Sequence, residues 1–478
     1  MEPFERLAAQ GAMIERLTSD SRRCAPGSAF FAYPGEKADG RAYIADALRR
    51  GASAVLWEAA DFAWRAEWRV PNIAVHDLKQ RCGLLAAEFY GRPSEQLWMC
   101  AVTGTNGKTS CSHWIASSLE RRGARSGIIG TLGSGFPGAV RDAGNTTPDA
   151  LELQAALKGL RAAGARAVAM EVSSHGLVQG RVNGVRFSCA LFTNLTHDHL
   201  DYHGSMQAYG EAKARLFEMP GLQTAVLNLD DPFGAELAHR LAGRVRTIGY
   251  SLRAVDPGTV DESIRLDPAM QVASSWGAGK LVTRQLGRFN FSNVLGVLGC
   301  LVAYGVPFGD ALRLLAELPD VPGRMQALGE RPLVVIDYAH TPDALEKVLA
   351  ALRPVATERG GRLAVVFGAG GERDPAKRPL MGLAAARGAD RMLITSDNPR
   401  SEDPLRIIDA VARGAGGAAR REPDRRRAIE AAVLEAGAED VVLIAGKGHE
   451  SYQEIAGERL PFSDEAVARA ALALRGQR

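Results

Sequence analysis

Between the apolar run Trp98–Val102 and a helix-like stretch starting at Lys108 stands Thr103-Gly104-Thr105-Asn106-Gly107-Lys108-Thr109-Ser110. A glycine-rich turn lets the backbone approach a polyphosphate, the helix N-terminus adds positive potential, and a lysine reaches the β- and γ-phosphates. The hydroxyl that follows the lysine can ligate Mg²⁺. The spacing therefore predicts ATP bound by Gly104, Thr105, Asn106, Gly107, Lys108, Thr109 and Ser110. The general GxxxxGK[ST] pattern asks for glycine at 102, where this chain has Val102.

Glu171 ends the apolar run Ala167–Val172, and the run Ala190–Asn194 opens into Leu195-Thr196-His197-Asp198-His199-Leu200-Asp201-Tyr202-His203. Ligands of open parallel sheets collect at the carboxyl ends of strands, so both segments are expected beside the phosphate loop. A carboxylate there suits Mg²⁺. The three histidines also admit a zinc reading, or no ligand role at all. Against zinc, no cysteine is near, and the His199–His203 spacing reads as a strand-end loop rather than a helix.

The elements that must position these residues follow from the rest of the chain. At about 100–200 residues per domain, 478 residues suggest roughly three domains. A composition of 46% apolar and 24% charged residues excludes wholesale disorder. A net charge of +3 is too balanced to imply a basic nucleic-acid-binding surface, and no nucleic-acid partner is expected. Apolar runs fall short of the ~18 residues of a membrane span, so no membrane insertion is expected. Charges interrupt Met1–Leu17, which shows no signal-peptide pattern, and six cysteines without a CxxC pair suit reduced thiols. A cytoplasmic α/β enzyme is the expectation, and a monomer.

Strands are predicted at Ser53–Trp57, Trp98–Val102, Ala167–Val172, Ala190–Asn194, Thr224–Leu229, Leu333–Asp337, Leu363–Gly368, Arg391–Ser396 and Val441–Ala445. Their continuous apolar character is that of parallel strands buried on both faces. Helices are predicted at Lys108–Arg122 and Pro148–Ala163, closed by Gly123 and Gly164. Pro/Gly-rich joints at 90–97 and 318–328 divide the chain into 1–94, 95–325 and 326–478. The basic stretch 416–427 reads as a solvated surface segment.

Eight motifs in order make the chain similar to the Mur ligases of peptidoglycan synthesis. They are Gly-Thr-Asn-Gly-Lys-Thr at 104–109, Glu-Val-Ser-Ser-His-Gly-Leu at 171–177, Asn-Leu-Thr-His-Asp-His-Leu-Asp at 194–201 and Gly-Arg-Phe-Asn at 287–290. Asp-Tyr-Ala-His-Thr-Pro-Asp at 337–343, Gly-Glu-Arg-Asp at 371–374, Asp-Asn-Pro-Arg at 397–400 and Gly-Lys-Gly-His-Glu at 446–450 follow. The family's short phosphate loop accounts for Val102.

The resemblance implies an N-terminal α/β uridine-binding domain, a central P-loop ATPase-like parallel-sheet domain and a C-terminal Rossmann-like domain. It implies an ATP-dependent ligase acting through an acyl phosphate, with UDP-N-acetylmuramoyl-L-alanyl-D-glutamate and meso-diaminopimelate as substrates. Carried over as catalytic are Lys108, Glu171, His199 and Lys213. Thr109, Glu171, His199 and Lys213 are implied metal positions, with Lys213 carbamylated by CO₂ (N6-carboxylysine). Asn290, Arg324, Asp337 and His340 are implied for the nucleotide. Ser21, Asn145, Thr146, Thr147, Ser173, Gln179 and Arg181 are implied for the muramoyl dipeptide. Asn145-Thr146-Thr147-Pro148 also reads as a helix N-cap. Glu36-Lys37-Ala38 departs from the family's His-Gln-Ala form.

For the acceptor, Arg373, Asp397, Asn398, Pro399, Arg400, Gly446 and Glu450 are implied. Arg400 has a chemical reason as well. Diaminopimelate exceeds lysine by one carboxylate, and a guanidinium fork matches a carboxylate with two parallel hydrogen bonds. Lysine-adding and folate-glutamate relatives share parts of the pattern. Arg400 separates the former, and Asp20-Ser21-Arg22 with Asn145-Thr146-Thr147 the latter. A non-catalytic nucleotide switch is the alternative from another class.

Overall fold

The computed structural model describes residues 3–36, 38–141, 144–253, 258–417 and 419–476. Among them three large sheets succeed one another along the chain, followed by a two-stranded antiparallel ribbon of Tyr452–Ile455 and Glu458–Pro461. Arg16–Thr18, Ser28–Ala32, Ala54–Glu58 and Asn72–Val75 pair in that order, all parallel. Ser28–Ala32 is buried at every position, as an inner strand covered on both faces must be. The core of this sheet continues into Ala150 and Leu151, which seat the first domain on the second.

The second sheet has eleven strands and runs parallel from Ser126–Gly130 to Glu262–Leu266, with antiparallel additions at both edges. Alternate residues of Trp98–Thr103 enter opposite cores. Cys100 and Val102 pack with Trp114 and Leu295, whereas Met99 and Ala101 pack with Leu153 and Leu237. Helices on both faces therefore make this run apolar throughout. Trp98–Thr103 lies between Ala167–Glu171 and Cys189–Phe192. The chain fills one side of it first and the other afterwards, so the phosphate loop leaves the sheet at its switch point.

The third sheet has the order Gln326–Leu328, Leu333–Asp337, Val441–Ala445, Leu363–Phe367, Arg391–Ile394 and Arg420–Arg421, parallel except for its first pair. No helix among the described residues is long and apolar enough to cross a membrane. All six cysteines are buried free thiols.

Four sequence expectations need correction. The strands expected to reach Asn194 and Ser396 stop at Phe192 and Ile394, where the chain leaves each ladder for a loop. The helix expected from Pro148 starts at Ala150, where Asp149 caps the N–H groups of Leu151 and Glu152 at 2.9 and 3.0 Å. The Asn145–Pro148 cap is thereby displaced. The histidine stretch is not all loop, since Leu200–His203 forms one helical turn after a left-handed His199. Arg425 of the basic stretch is buried, although Arg420, Arg421, Arg426 and Arg427 are exposed as expected.

Candidate active site

Gly107 caps the helix Lys108–Arg121 at φ 86°, and a Cβ there would lie 2.5 Å from Asn293 Oδ1. Glycine is thus required by backbone and by space. The first helical turn leaves the N–H groups of Lys108, Thr109 and Ser110 without intrahelical partners, an arrangement suited to an anion. The loop proper differs from expectation. Thr105 N donates to Asn194 O (2.8 Å) and Asn106 N to Asn194 Oδ1 (3.0 Å), so the neighbouring strand end holds these two amides. Lys108 Nζ folds back onto the carbonyls of Gly104 and Thr105, both at 2.8 Å. Burial lowers its pKa.

Glu171 emerges beside this helix. Its Oε2 accepts from Thr109 Oγ1 and Thr131 Oγ1, each at 3.1 Å, and its Oε1 accepts from Thr131 N at 2.8 Å. A Cβ at Gly130 would lie 2.2 Å from Oε1, so only glycine leaves the carboxylate this position. A carboxylate flanked by two hydroxyls is a hard oxygen donor set, which fits Mg²⁺.

His199 sits at φ 54°, with its Nε2 3.5 Å from Asp198 Oδ2. Burial lowers its pKa. For Asp198 burial acts upward, but the charges of His199, His340 and Lys108 outweigh it and hold the carboxyl low. The rings of His175 and His199 lie 4.9 Å apart and those of His175 and His203 5.4 Å, while His203 Nε2 bonds Ser174 Oγ at 2.9 Å. Among the described residues, the one trio of possible ligands that converges is Cys100, Cys189 and Cys300. These histidines therefore do not gather as a zinc site requires.

Lys213, from the helix Met206–Ala214, is 1% exposed and lies beneath the phosphate loop. Its Nζ donates to Gly104 O at 3.0 Å and sits 4.2 Å above the Tyr209 ring. Burial, reinforced by the Lys108 charge, pushes its amine well below the usual lysine range.

A cavity of about 280 Å³ opens above the loop and is lined from both sides of the joint between the second and third domains. Asn106, Lys108, Thr109 and Glu171 face Arg324, Asp337 and His340 across it, with Asn290 at one wall. Arg324 Nη2 donates to Thr109 Oγ1 at 3.1 Å, and its guanidinium covers the Tyr338 ring at 4.4 Å. Asp337 takes the N–H groups of Met325 and Ala339, both at 2.8 Å, and so ties the joint to its strand end. Asn290 Nδ2 donates to Leu286 O at 2.9 Å, and His340 Nδ1 bonds Tyr338 O at 2.8 Å.

The residues that the resemblance implies for the dipeptide do not all gather in one place. Ser21 bonds Asp46 Oδ2 at 2.8 Å and lines a separate first-domain cavity of about 800 Å³. Thr147 Oγ1 donates to Glu171 O (3.0 Å) and contacts Ser173 Oγ at 3.1 Å, while Arg181 binds Thr147 O at 2.7 Å and Gln179 Oε1 at 2.8 Å. Thr146 lines the cavity above the loop, whereas Asn145 is exposed on its loop. Glu36 accepts from Gln179 Nε2 (2.8 Å) and Tyr202 OH (3.0 Å), which bridges the first two domains. Lys37 lies outside the described residues.

In the third domain, Asn398 and Glu450 meet through Asn398 Nδ2 at 2.9 Å. Buried Lys447 joins both, at 3.0 Å from Asn398 Oδ1 and 2.8 Å from Glu450 Oε2. A Cβ at Gly446 would lie 2.4 Å from Asp397 Oδ2. Pro399 is buried, and Arg400, at φ 53°, donates to Gly371 O at 2.6 Å with Glu454 at 3.6 Å. Arg373 is exposed on the facing loop. The joint reaches this site too, because a Cβ at Gly323 would lie 2.2 Å from His449 N.

Sequence reasoning did not single out Thr131, Asn293, Lys347, Tyr338 or Lys447. Tyr338 and Lys447 lie inside recognised motifs and were within reach. Thr131 has no local signal, since only the sheet order brings it to Glu171.

Three family models match in succession: the Mur ligase family catalytic domain over 13–90, the Mur ligase middle domain over 102–301 and the glutamate ligase domain over 323–448. A Chromobacterium violaceum protein named UDP-N-acetylmuramoyl-L-alanyl-D-glutamate–2,6-diaminopimelate ligase is 51% identical over 98% of this chain and 96% of its own. A Pseudomonas aeruginosa protein of the same name is 51% identical over 96% and 95%. A solved structure of a ligase so named superposes with TM-score 0.67 at 37% identity, covering 97% of this chain and 95% of that one. A Thermotoga maritima MurF ligase in complex with ADP, TM-score 0.62 at 16% identity, shares the fold. With three matched domains around one inter-domain cavity, and relatives alike over nearly their full length, the chain belongs to the Mur ligase family.

Proposed function

We infer that this chain is an ATP-dependent ligase that joins meso-diaminopimelate to the D-glutamate carboxylate of UDP-N-acetylmuramoyl-L-alanyl-D-glutamate. One observation carries the reading. Arg324, at the joint, reaches Thr109 of the phosphate loop across a cavity that both domains line, which supports a reaction carried out between the two domains.

A carboxylate and a triphosphate repel each other, and cations must offset that repulsion. With ATP bound, the Lys108 ammonium exchanges two loop carbonyls for phosphate oxygens, and Arg324 adds a second cation. Thr109 and Glu171 are the residues to hold Mg²⁺, which supplies charge neutralisation at the phosphates. The γ-phosphoryl group passes to the D-glutamate carboxylate, leaving ADP and an acyl phosphate. An amine of diaminopimelate attacks the acyl carbon, loses a proton, and phosphate departs as the amide forms. Thr147, Ser173, Gln179 and Arg181 hold the dipeptide, and Ser21 lines the pocket for its uridine. Asn398, Arg400 and Glu450 hold the acceptor, with Arg373 at the entrance. Lys213 carries CO₂ as a carbamate, which its depressed amine pKa favours because the neutral amine is the nucleophile.

The test offers purified protein ATP, the UDP-muramoyl dipeptide, and either diaminopimelate or lysine. Tripeptide product and ADP with diaminopimelate alone are expected. ADP release that ignores both other substrates overturns the reading.

A further inference from the structure

Arg425 and Asp464 form a salt bridge with both side chains fully buried. Arg425 Nε and Nη2 meet Asp464 Oδ1 and Oδ2 at 2.8 and 2.7 Å, a two-pronged pairing. The same guanidinium donates from Nη1 to Ser396 O at 3.3 Å and from Nη2 to Ala445 O at 3.0 Å. These carbonyls immediately precede Asp397-Asn398 and Gly446-Lys447, the two loops that make the acceptor site.

One planar group thus fixes the bases of both loops, while Asn398, Lys447 and Glu450 tie their tips. Each partner begins its own helix, Arg425–Glu435 and Asp464–Gly476, so the clamp also anchors the C-terminal helix to the site. Gly446 lets Asp397 close in beside it, where a Cβ would lie 2.4 Å from Oδ2 and 3.9 Å from Arg425 Nη2. Stability alone does not explain the pair. Replacing a buried ion pair by well-packed apolar residues is often neutral or stabilising. What apolar residues lack is the means to hold two strand-exit carbonyls in a set geometry.

We propose that Arg425 and Asp464 are positioning residues for the amino-acid acceptor: the clamp sets the spacing of the 397–400 and 446–450 loops and thereby acceptor affinity. This rests on the ligase reading above.

The experiment compares wild type with the apolar double variant Arg425→Met/Asp464→Leu and with Arg425→Lys, which keeps the charge but loses the fork. Folding is followed by circular dichroism, and KM is measured separately for diaminopimelate, ATP and the UDP-muramoyl dipeptide. A misplacement near 1 Å costs about 100-fold, so a rise of about tenfold or more is expected in the diaminopimelate KM alone. Should the double variant not fold, Arg425→Lys decides by the same measure. Folded variants whose acceptor KM stays at the wild-type value, or whose three KM values rise together, overturn the positioning role. Wild type that makes no product with diaminopimelate refutes the ligase reading instead.

Discussion

Lys108 and Lys213 donate to the same atom: the Gly104 carbonyl takes one Nζ at 2.8 Å and the other at 3.0 Å. Two ammonium groups on one carbonyl repel each other, and both pKa values fall, chiefly through burial. Lys213 falls well below the usual range and is the one suited to react as a neutral amine.

Carbamylation converts Lys213 from a cation into an anion, with CO₂ added at Nζ and a proton released. Lys213→Ala is expected to lose about 100-fold or more in turnover. Short carboxylic acids that enter the vacated space should restore part of it. Full activity of the variant, or indifference to added carboxylates, refutes the carbamate.

Lys108 has a different fate. Lys108→Ala removes the cation that faces the phosphates, and kcat is expected to drop by about 1,000-fold or more. Circular dichroism should be unchanged, since the side chain bonds only its own loop. Near-normal turnover sinks the phosphate-loop assignment.

Arg400 is proposed to set acceptor choice. A site built around a charged group rejects an analogue lacking it by about 10⁴-fold. Wild type is expected to discriminate against lysine on that scale, and Arg400→Lys to weaken diaminopimelate binding more than ATP binding. Equal efficiency with both amino acids excludes this role.

His113, one turn beyond Thr109, has its pKa lowered to about 4 by burial and by Arg324. Its Nε2 is buried without a hydrogen-bond partner. Between about pH 4 and 6.5 this imidazole binds a proton in the unfolded chain but not in the folded one, so its contribution to stability rises with pH across that window. Acidification through it should remove up to about 3 kcal/mol. Denaturant unfolding of His113→Gln should therefore show a flatter pH slope than wild type, and equal slopes refute the assignment.

Residues on both sides of the joint line the same cavity, Lys108 before it and His340 after it, so the proposed nucleotide would touch both domains. Solution scattering should report compaction with ATP analogue plus dipeptide, as hinge closure does. An unchanged radius of gyration speaks against closure.

Much of this molecule is written locally. The strands Leu333–Asp337 and Val441–Ala445 lie where their apolar runs put them, since strands covered on both faces read as continuous apolar stretches. Gly107-Lys108-Thr109 is similarly local, because one turn and one helix start make the whole phosphate cradle.

Other features have no local signature. Arg425 reads as one of three consecutive surface arginines, and only its packing against Asp464, 39 residues away, buries it. Thr131 reaches Glu171 because their strands are neighbours, and Thr105 and Asn106 give their amides to Asn194 because three strands meet at the switch point. The sequence by itself determined the chemistry at hand: a Gly-Lys-Thr loop, carboxylates, lysines and the arginine at 400. Tertiary structure alone decided which polar groups share a partner, because a buried donor or acceptor is satisfied by whatever the fold brings within about 3 Å, however distant in the chain.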